Sequence, residues 1–187
     1  MLWSFMTLTK WDQAWWDQLG PIYREAFQHG AKPEKVLRSM LDRGIASLHA
    51  GLQEGETVAM AVTGVSSGHS RKRLFLDYMA VRQDHRGQGL GHHFFSQIRD
   101  YAEMEHHAEA ILIEAEAEDT EMNRERLRFW IDCVFIATPY VHQYIWVPEP
   151  YRALYLPLKE HFTLTDGGQS LFRDITSFHH RSFRGHN

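Results

Sequence analysis

The sequence predicts an α/β fold, because apolar runs typical of strands alternate with segments whose apolar residues recur at helical spacing. The clearest run spans residues 74–81 and leads into a glycine-rich turn at residues 86–91. Beyond this turn, Leu90, Phe94 and Ile98 recur every four residues, which is typical of an amphipathic helix. A chain of 187 residues is long enough to bury a core of its own, so we expect a single domain.

The segment before the central strand is predicted to contain strands at its two ends and helices between them. Residues 2–8 alternate as a strand does, and residues 11–27 carry apolar side chains at helical spacing. Gly20 and Pro21 interrupt this helix, either as a kink or as the start of a second helix. The other elements are a helix from Pro33 to Leu41 closed by Gly44, a strand pair at 45–52 and 58–65, and a polar, basic turn at 68–73.

The segment after the central helix is predicted to continue the alternation. Residues 110–115 form a strand-like run, and a helix-like segment opens at Asn123 and ends near residue 134. Two strand-like runs follow, at 135–147 and 153–158. The tail adds a turn at 166–168 and one short helix whose packed face carries Leu171, Ile175 and Phe178.

Composition argues against several functional classes. A net charge of −4 is unlike a protein that grips a nucleic-acid backbone. No apolar run reaches the length of a membrane span, and the first residues lack the pattern of a secretory signal, so we expect a cytoplasmic protein without a membrane partner. The single cysteine, Cys133, excludes an internal disulfide and is expected in the core. The histidine pairs are adjacent in sequence and point in different directions on a helix, so no metal site is predicted.

The glycine-rich turn at residues 86–91 has the features of a phosphate site. Glycines let an anion approach the main chain, and the first amides of a helix have no partner within it. These amides and the helix dipole favour phosphate, and Arg86 adds a permanent cation. No Gly-Lys pair followed by Ser or Thr occurs, and the spacing of Gly87, Gly89 and Gly91 does not match a dinucleotide fingerprint. A tight turn without a ligand is the alternative.

The pattern R-x-x-G-x-G at residues 86–91, directly after a strand, resembles the acetyl-CoA motif of the GNAT superfamily of N-acetyltransferases, in which Q/R-x-x-G-x-G/A wraps the pyrophosphate of coenzyme A. The segment with Asn123, Trp130 and Phe135 is similar to the family's N-x-x-A-x-x-x-Y-x-x-x-G-F pattern. The resemblance covers about residues 40–158. It implies an α/β, GNAT-like mixed, largely antiparallel twisted sheet of about six to seven strands flanked by helices, in one domain at 1–187 with its core at about 1–158 and a C-terminal extension at 159–187.

The resemblance also implies acetyl-CoA as cosubstrate, held mainly by main-chain groups. A bulge in the strand before the motif would leave backbone groups near Met79 and Val81 to bind pantetheine and polarise the thioester. Their apolar side chains equally suit an ordinary core strand, and Asn123 equally suits a helix N-cap. The expected cofactor-binding residues are Met79, Ala80, Val81, Arg86, Gly87, Gln88, Gly89, Leu90, Gly91, Asn123 and Trp130.

Carboxylates near the motif strand are candidates for the general base that deprotonates an amine. Asp77 lies four residues before Val81, where relatives often carry an acidic residue. Glu114, Glu116 and Glu118 fall on one face of the following strand, because strand side chains alternate between faces. Glu116 and Glu118 alternatively lie beyond the strand end in solvent. We therefore take Glu114 and Asp77 as the candidate bases.

The proton donor to the departing thiolate is where the sequence departs from the family pattern. Trp130 stands where the family often has a tyrosine, and an indole N–H does not deliver a proton to a thiolate. Val134 replaces the usual glycine before the phenylalanine. Water and three tyrosines remain as candidates: Tyr78, Tyr140 and Tyr144. We place Tyr140 with Glu114 and Asp77 in the predicted catalytic set.

These observations predict an N-acetyltransferase that carries acetyl from acetyl-CoA to a primary amine by direct attack, without an acyl-enzyme intermediate. The acidic residues favour a small cationic molecule as acceptor, with no nucleic-acid partner, and the resemblance allows a homodimer. Protein lysine or N-terminal acetylation is one alternative. A non-catalytic acyl-CoA-binding or regulatory module is another, favoured by the missing tyrosine and glycine. A structural interaction domain without a cofactor is the third.

Overall fold

Seven strands and five α-helices form the part of the chain that the computed structural model describes, residues 2–66 and 71–184. The first three residues of the predicted turn at 68–73 fall outside these ranges. In chain order the elements are β1 (Trp3–Leu8), α1 (Gln13–Ala26), α2 (Glu34–Asp42), β2 (Ala46–Gln53), β3 (Glu56–Val65), β4 (Arg73–Val81), α3 (Leu90–Met104), β5 (Ala110–Glu116), α4 (Glu121–Asp132), β6 (Ile136–Gln143), β7 (Pro150–Pro157) and α5 (Gln169–Phe183).

The strands form one mixed sheet in the order β1-β2-β3-β4-β5-β7-β6. Among the described strands, β4 and β5 form the single parallel pair, and every other neighbouring pair is antiparallel. The prediction of a mixed, largely antiparallel sheet flanked by helices is therefore confirmed. In the described ranges, no helix combines the length and apolarity that crossing a bilayer requires.

The two faces of the sheet are covered by different helices. On one face α1, α2 and α5 enclose a core that includes Trp16, Met40 and Phe178. On the other face α3 and α4 enclose a second core that includes Phe94 and Ile98. The side chains of the central strands alternate between the two faces and pack into both cores. The sequences of these strands are therefore nearly continuous apolar runs.

Several predicted boundaries differ from the structure. Helix α1 continues through Pro21, whose neighbour Gly20 lies buried beneath Trp16, so the predicted interruption does not end the helix. Helix α4 is capped by Thr120, whose side chain accepts the N–H of Asn123, so Asn123 is a buried residue of the first turn and not its N-cap. The last two strands are also shifted, with β6 ending at Gln143 and β7 beginning at Pro150.

Candidate active site

A β-bulge places two consecutive side chains of β4 on the same face of the sheet. Tyr78 pairs with Val62 and Leu76 pairs with Thr63, so Asp77 has no residue opposite it on β3. Asp77 and Tyr78 consequently both reach the loop between α1 and α2, where each bonds to Lys32. The family resemblance implies a bulge in this strand, and the structure has it two residues before Met79.

Strands β4 and β5 separate after a short parallel ladder. Their register runs only from the pair Arg73 and Ala110 to the pair Phe75 and Leu112. Beyond that point β4 continues to Val81 and β5 to Glu116, and the described residues contain no further pairing between the two strands. The ladder thus leaves a gap in the main-chain pairing between β4 and β5 in the middle of the sheet, and we call this gap the opening.

The predicted residues Met79, Ala80 and Val81 lie on the β4 side of this opening. Each pairs across its other edge with β3. The side chains of Met79 and Val81 pack towards the α3 and α4 core, whereas Ala80 belongs to the opposite core. Their main-chain edge towards β5 is the part of these residues that faces the opening.

The glycine-rich turn forms an open loop at the N-terminus of α3. Gly87 and Gly89 both have φ of 76°, a left-handed conformation that glycine adopts without strain, and nothing lies within 4 Å of where a Cβ would stand on either. Gly89 caps α3 without any side-chain hydrogen bond. Leu90 is buried and anchors the helix start, whereas Arg86 and Gln88 are exposed.

Apart from that of Arg86, the main-chain amides of this loop have no hydrogen-bond acceptor among the described residues. The N–H of Arg86 donates to the carbonyl of Gln83, and that of His93 donates to the carbonyl of Gly89. Between these two bonds, the amides of residues 87–92 make no bond within the described chain. The Arg86 side chain donates from Nε to the Val81 carbonyl at 2.9 Å, which ties the loop to the end of β4.

Asn123 and Trp130 make contacts that hold helix α4 in place. Nδ2 of Asn123 donates to the Glu118 carbonyl at 3.1 Å. The indole of Trp130 packs against Phe95, Phe129 and Phe135. Their cofactor-binding role stays a prediction. The aromatic side chain of α4 that lies beside the loop is Phe129, because a Cβ on Gly91 would stand 3.1 Å from its ring.

Glu114 lies on β5 where the two strands have separated, and both of its carboxylate oxygens are hydrogen-bonded. The Tyr144 hydroxyl donates to Oε2 at 2.7 Å, and Nε2 of His179 lies 2.5 Å from Oε1. The Glu114 side chain keeps 15% of its surface exposed. Each carboxylate oxygen can accept two hydrogen bonds, so Glu114 retains acceptor capacity for a substrate.

Asp77 is fully engaged in a buried ion pair. Nζ of Lys32 lies 2.9 Å from its Oδ1 and 2.7 Å from its Oδ2, and both side chains are 4% exposed. The same Nζ lies 3.2 Å from Nδ1 of His179. The structure therefore brings together the two predicted bases, Asp77 and Glu114, through Lys32 and His179.

The tyrosines predicted as proton donors occupy different environments. Burial and the charge of Glu114 raise the pKa of Tyr144, so it is a hydrogen-bond donor and not a base. Burial and the charge of Asp77 raise the pKa of Tyr78 as well, and its hydroxyl accepts the Lys32 N–H. Tyr140 is not brought to Glu114. Its hydroxyl lies 3.3 Å from Nδ1 of His142, and it lines a cavity of about 580 Å³ between β6 and α5.

Carboxylates collect around Tyr151 at the end of β5. Burial first, and then the charges of Glu116, Glu114 and Glu149, raise the pKa of Tyr151 to about 12. Glu116 is half-buried at the last position of the strand, opposite Tyr151 on β7. Glu118 is exposed beyond the strand end, which is the alternative that the sequence left open for it. The Arg126 cation acts on the same hydroxyl in the opposite direction, and we call Glu114, Glu116 and Glu149 the acid group at the exit of β5.

Sequence reasoning missed Lys32 and His179. Lys32 lies in a loop between two helices, and no local pattern distinguishes it from a solvated lysine. His179 carries a signal, because it follows Ile175 by one helical turn and so belongs to the packed side of α5. Within the described ranges, no three His, Cys, Asp or Glu side chains are placed to hold a metal ion.

Comparison with known proteins identifies one family, and many solved structures share the fold of this chain. The model of the acetyltransferase (GNAT) family matches residues 11–130. No curated protein sequence matches the chain. Solved structures with the same fold include the ribosomal-protein-S18-alanine N-acetyltransferase from Escherichia coli, 17% identical over 87% of this chain and 100% of that one, with a TM-score of 0.62.

Two further solved structures come from proteins with different acceptors. An aminoglycoside acetyltransferase from an uncultured soil metagenomic sample is 15% identical over 78% of this chain and 95% of its own, with a TM-score of 0.62. Arabidopsis thaliana Naa50, in complex with the bisubstrate analogue CoA-Ac-MVNAL, is 14% identical over 83% of this chain and 99% of its own, with a TM-score of 0.64. At these identities the likeness is one of fold.

Proposed function

The chain belongs to the GNAT acetyltransferase family, and on this premise we propose that it transfers acetyl from acetyl-CoA directly to a primary amine, with Glu114 as general base. It is an acyltransferase, and acetyl-CoA is its cosubstrate. The GNAT family predicted from the R-x-x-G-x-G turn is thereby confirmed. The acceptor, the base and the individual binding residues belong to the proposal.

The observation that carries the proposal is that the loop with the free amides directly follows the strand that borders the opening in the sheet. Residues 87–92 offer consecutive unpaired N–H groups at a helix N-terminus, which suits the pyrophosphate of coenzyme A. The opening between β4 and β5 extends as far as Val81, and a short turn joins Val81 to this loop. Pantetheine bound along the Met79–Val81 edge would direct its thioester towards Glu114 on the facing strand.

The proposed reaction needs no covalent enzyme intermediate. The amine nitrogen attacks the thioester carbon, Glu114 accepts the proton that the nitrogen loses, and the C–S bond breaks as the thiolate of coenzyme A departs. Main-chain N–H groups of the β4 edge would stabilise the developing oxyanion. The buried Cys133 does not offer an alternative nucleophile, because burial raises the pKa of its thiol to about 11.

The acid group at the exit of β5 supports a cationic acceptor. Glu114, Glu116 and Glu149 lie close enough to Tyr151 for each charge to act on its hydroxyl. Three carboxylates against one cation, Arg126, leave an excess of negative charge that attracts an ammonium group and retains it near the base. We therefore propose a small molecule with more than one amine as substrate.

The proposal is tested by measuring thiol release from acetyl-CoA with a panel of polyamines, aminoglycosides and peptides that differ in net charge. We expect the di- and polycationic amines to give the highest kcat/KM. Glu114→Gln should lower kcat/KM by about 100-fold or more, because general-base catalysis contributes at least that much. It should leave the affinity for acetyl-CoA unchanged.

Glu121→Gln is the matched control, because Glu121 is exposed in the first turn of α4, beyond the end of β5, and should not affect the rate. Full activity in Glu114→Gln would overturn the assignment of the base. Tight binding of acetyl-CoA without thiol release by any amine would instead favour the non-catalytic acyl-CoA-binding module. A preference for peptides would favour protein acetylation.

A further inference from the structure

Four charged or titratable side chains from four separate parts of the chain form a continuous hydrogen-bonded line. Asp77 on β4 bonds to Lys32 in the loop between α1 and α2. Nζ of Lys32 lies 3.2 Å from Nδ1 of His179 on α5, and Nε2 of His179 lies 2.5 Å from Oε1 of Glu114 on β5. His179 is 18% exposed, and Lys32 and Asp77 are 4% exposed. The line therefore lies almost entirely within the protein.

The chemistry of these groups determines where the proton on His179 is. A lysine ammonium can only donate hydrogen bonds, so the Nδ1 atom that faces it must accept. A neutral imidazole that accepts at Nδ1 carries its proton on Nε2. This is the atom that faces Glu114, and a carboxylate only accepts. Along the line from Lys32 to Glu114, each hydrogen-bond donor thus faces an acceptor.

From this geometry we infer that Lys32 and His179 are positioning residues for Glu114, an inference that rests on the proposed function. Asp77 anchors Lys32, and Lys32 fixes the tautomer of His179. His179 then donates to Oε1 of Glu114, which stabilises its ionised form and holds the carboxylate in one orientation towards the opening between β4 and β5. Neither Lys32 nor His179 takes the substrate proton.

This arrangement also separates the roles of the two predicted bases. Both oxygens of Asp77 face Lys32, and its side chain is almost completely buried, so it is a structural anion. Glu114 keeps a free acceptor position on each oxygen and some exposed surface. The base is therefore Glu114, and the contribution of Asp77 passes through Lys32 and His179.

Other groups face Glu114 and act on its charge. Tyr144, which follows β6, donates to its second oxygen. Tyr151 on β7 lies close enough to Glu114, and to Glu116 on the same strand, for both carboxylates to raise its pKa. The pH dependence of the reaction therefore reports on all of these groups together, and the contribution of His179 has to be isolated by substitution.

The test compares two substitutions at His179. Leucine cannot donate, so His179→Leu should lower kcat by about 10- to 100-fold and move the acid limb of the pH–rate profile to higher pH, because the Glu114 carboxylate loses a donor that favours its ionised form. A glutamine amide can accept from Lys32 and donate to Glu114, so His179→Gln should recover most of the rate and return the limb towards its original position. KM for acetyl-CoA should stay the same in both variants.

His180→Leu is the control for disturbance of α5, because His180 follows His179 on the same helix and makes no hydrogen bond to the line. It should leave the acid limb where it is in the unsubstituted protein. A rate and a limb that do not change in His179→Leu, or equal losses in the leucine and glutamine variants, would overturn the inference.

A measurement without turnover tests the tautomer directly. Nitrogen-15 NMR of the imidazoles, with the His179 signals assigned from their absence in His179→Gln, should show a protonated Nε2 and an unprotonated Nδ1 at neutral pH. A proton on Nδ1 would contradict the inference.

Failure of the inference can be told from failure of the proposed function. If Glu114→Gln is inactive while His179→Leu is unchanged, Glu114 is the base and the line has no catalytic role. If Glu114→Gln is fully active, the proposed base is wrong, and with it the inference.

Discussion

Val134 has a backbone conformation that a β-branched residue rarely adopts. Its φ is +61°, and it directly follows Cys133, the C-cap residue of α4. The N–H of Phe135 donates to the carbonyl of Trp130, which is the bond that closes a helix through a left-handed residue. Glycine is the usual residue at such a position, and the sequence comparison with the family pattern also points to glycine here.

Val134→Gly should therefore stabilise the protein. The side chain is 63% exposed, so its loss removes little packing. Relief of the left-handed strain outweighs the extra freedom of glycine in the unfolded chain, and we expect the free energy of unfolding to rise by about 1 kcal/mol. Urea denaturation measures this change. Val141→Gly is the control, since Val141 is also exposed but lies in the extended strand β6, where its substitution should destabilise.

At the scale of single residues, the sequence predicts the face on which a side chain lies, because local periodicity determines that face. Glu114 can be placed on an inward face because strand side chains alternate, and Leu90 can be placed under the loop because it starts a helical stripe. Lys32 cannot be identified, because its partners on β4 and α5 are distant in sequence and only the folded chain brings them together. The bulge at Asp77 also turns Tyr78 to the same face, which strict alternation does not predict.

At the scale of elements, the loop before α3 is the part of the site that sequence predicts best. Strand, glycines and helix start follow one another directly, so local rules for helix termini are sufficient. The start of α4 is predicted two residues late, because Asn123 is as suitable a cap by sequence as Thr120, and the end of β6 is predicted late because apolar residues continue through 145–147 after the strand has ended. The loop therefore also offers the sharpest test of an element.

Gly89→Ala should weaken acetyl-CoA binding through the loop. Gly89 has φ of 76° with open space around it, so alanine brings backbone strain and a methyl group beside the free amides. We expect KM for acetyl-CoA to rise about tenfold and the free energy of unfolding to fall by about 1 kcal/mol. Steady-state kinetics and urea denaturation measure the two effects.

Gly55→Ala is the matched control for this change. Gly55 has φ of 83°, and again nothing lies within 4 Å of where a Cβ would stand, but it lies in the turn between β2 and β3. It should lose the same stability and keep the same KM. Equal KM values for both variants would exclude a role of the loop conformation in binding.

At the scale of the whole molecule, the sequence predicts the elements but not their order in the sheet. Strand β7 lies between β5 and β6, and the parallel ladder between β4 and β5 stops after three residue pairs. Both features depend on contacts between distant parts of the chain. Helix α5 is the clearest case, because it lies beyond residues 11–130 of the family match and still supplies His179 to Glu114.

The placement of α5 depends on one close contact with the centre of the sheet. Phe178 is 1% exposed and packs edge-on against Phe75. A Cβ on Gly64 of β3 would stand 2.0 Å from the Phe178 ring, so glycine is what lets the helix pack this closely. Gly64→Ala should therefore destabilise by about 1–3 kcal/mol, as overpacking does, and Phe178→Ala by about 3–5 kcal/mol.

The two substitutions should not be additive. Once Phe178 is alanine, the methyl group of Gly64→Ala enters empty space and partly fills the cavity, so the double variant should be more stable than the sum predicts by about 1–2 kcal/mol. Gly55→Ala combined with Phe178→Ala should be additive, because the Phe178 ring does not approach Gly55. Urea denaturation measures the free energies of unfolding of the single and double variants. If Gly64→Ala and Phe178→Ala are also additive, the contact between Gly64 and Phe178 does not determine how α5 packs. The position of His179 beside Glu114 depends on that contact, so Gly64→Ala should also reduce kcat by more than Gly55→Ala does.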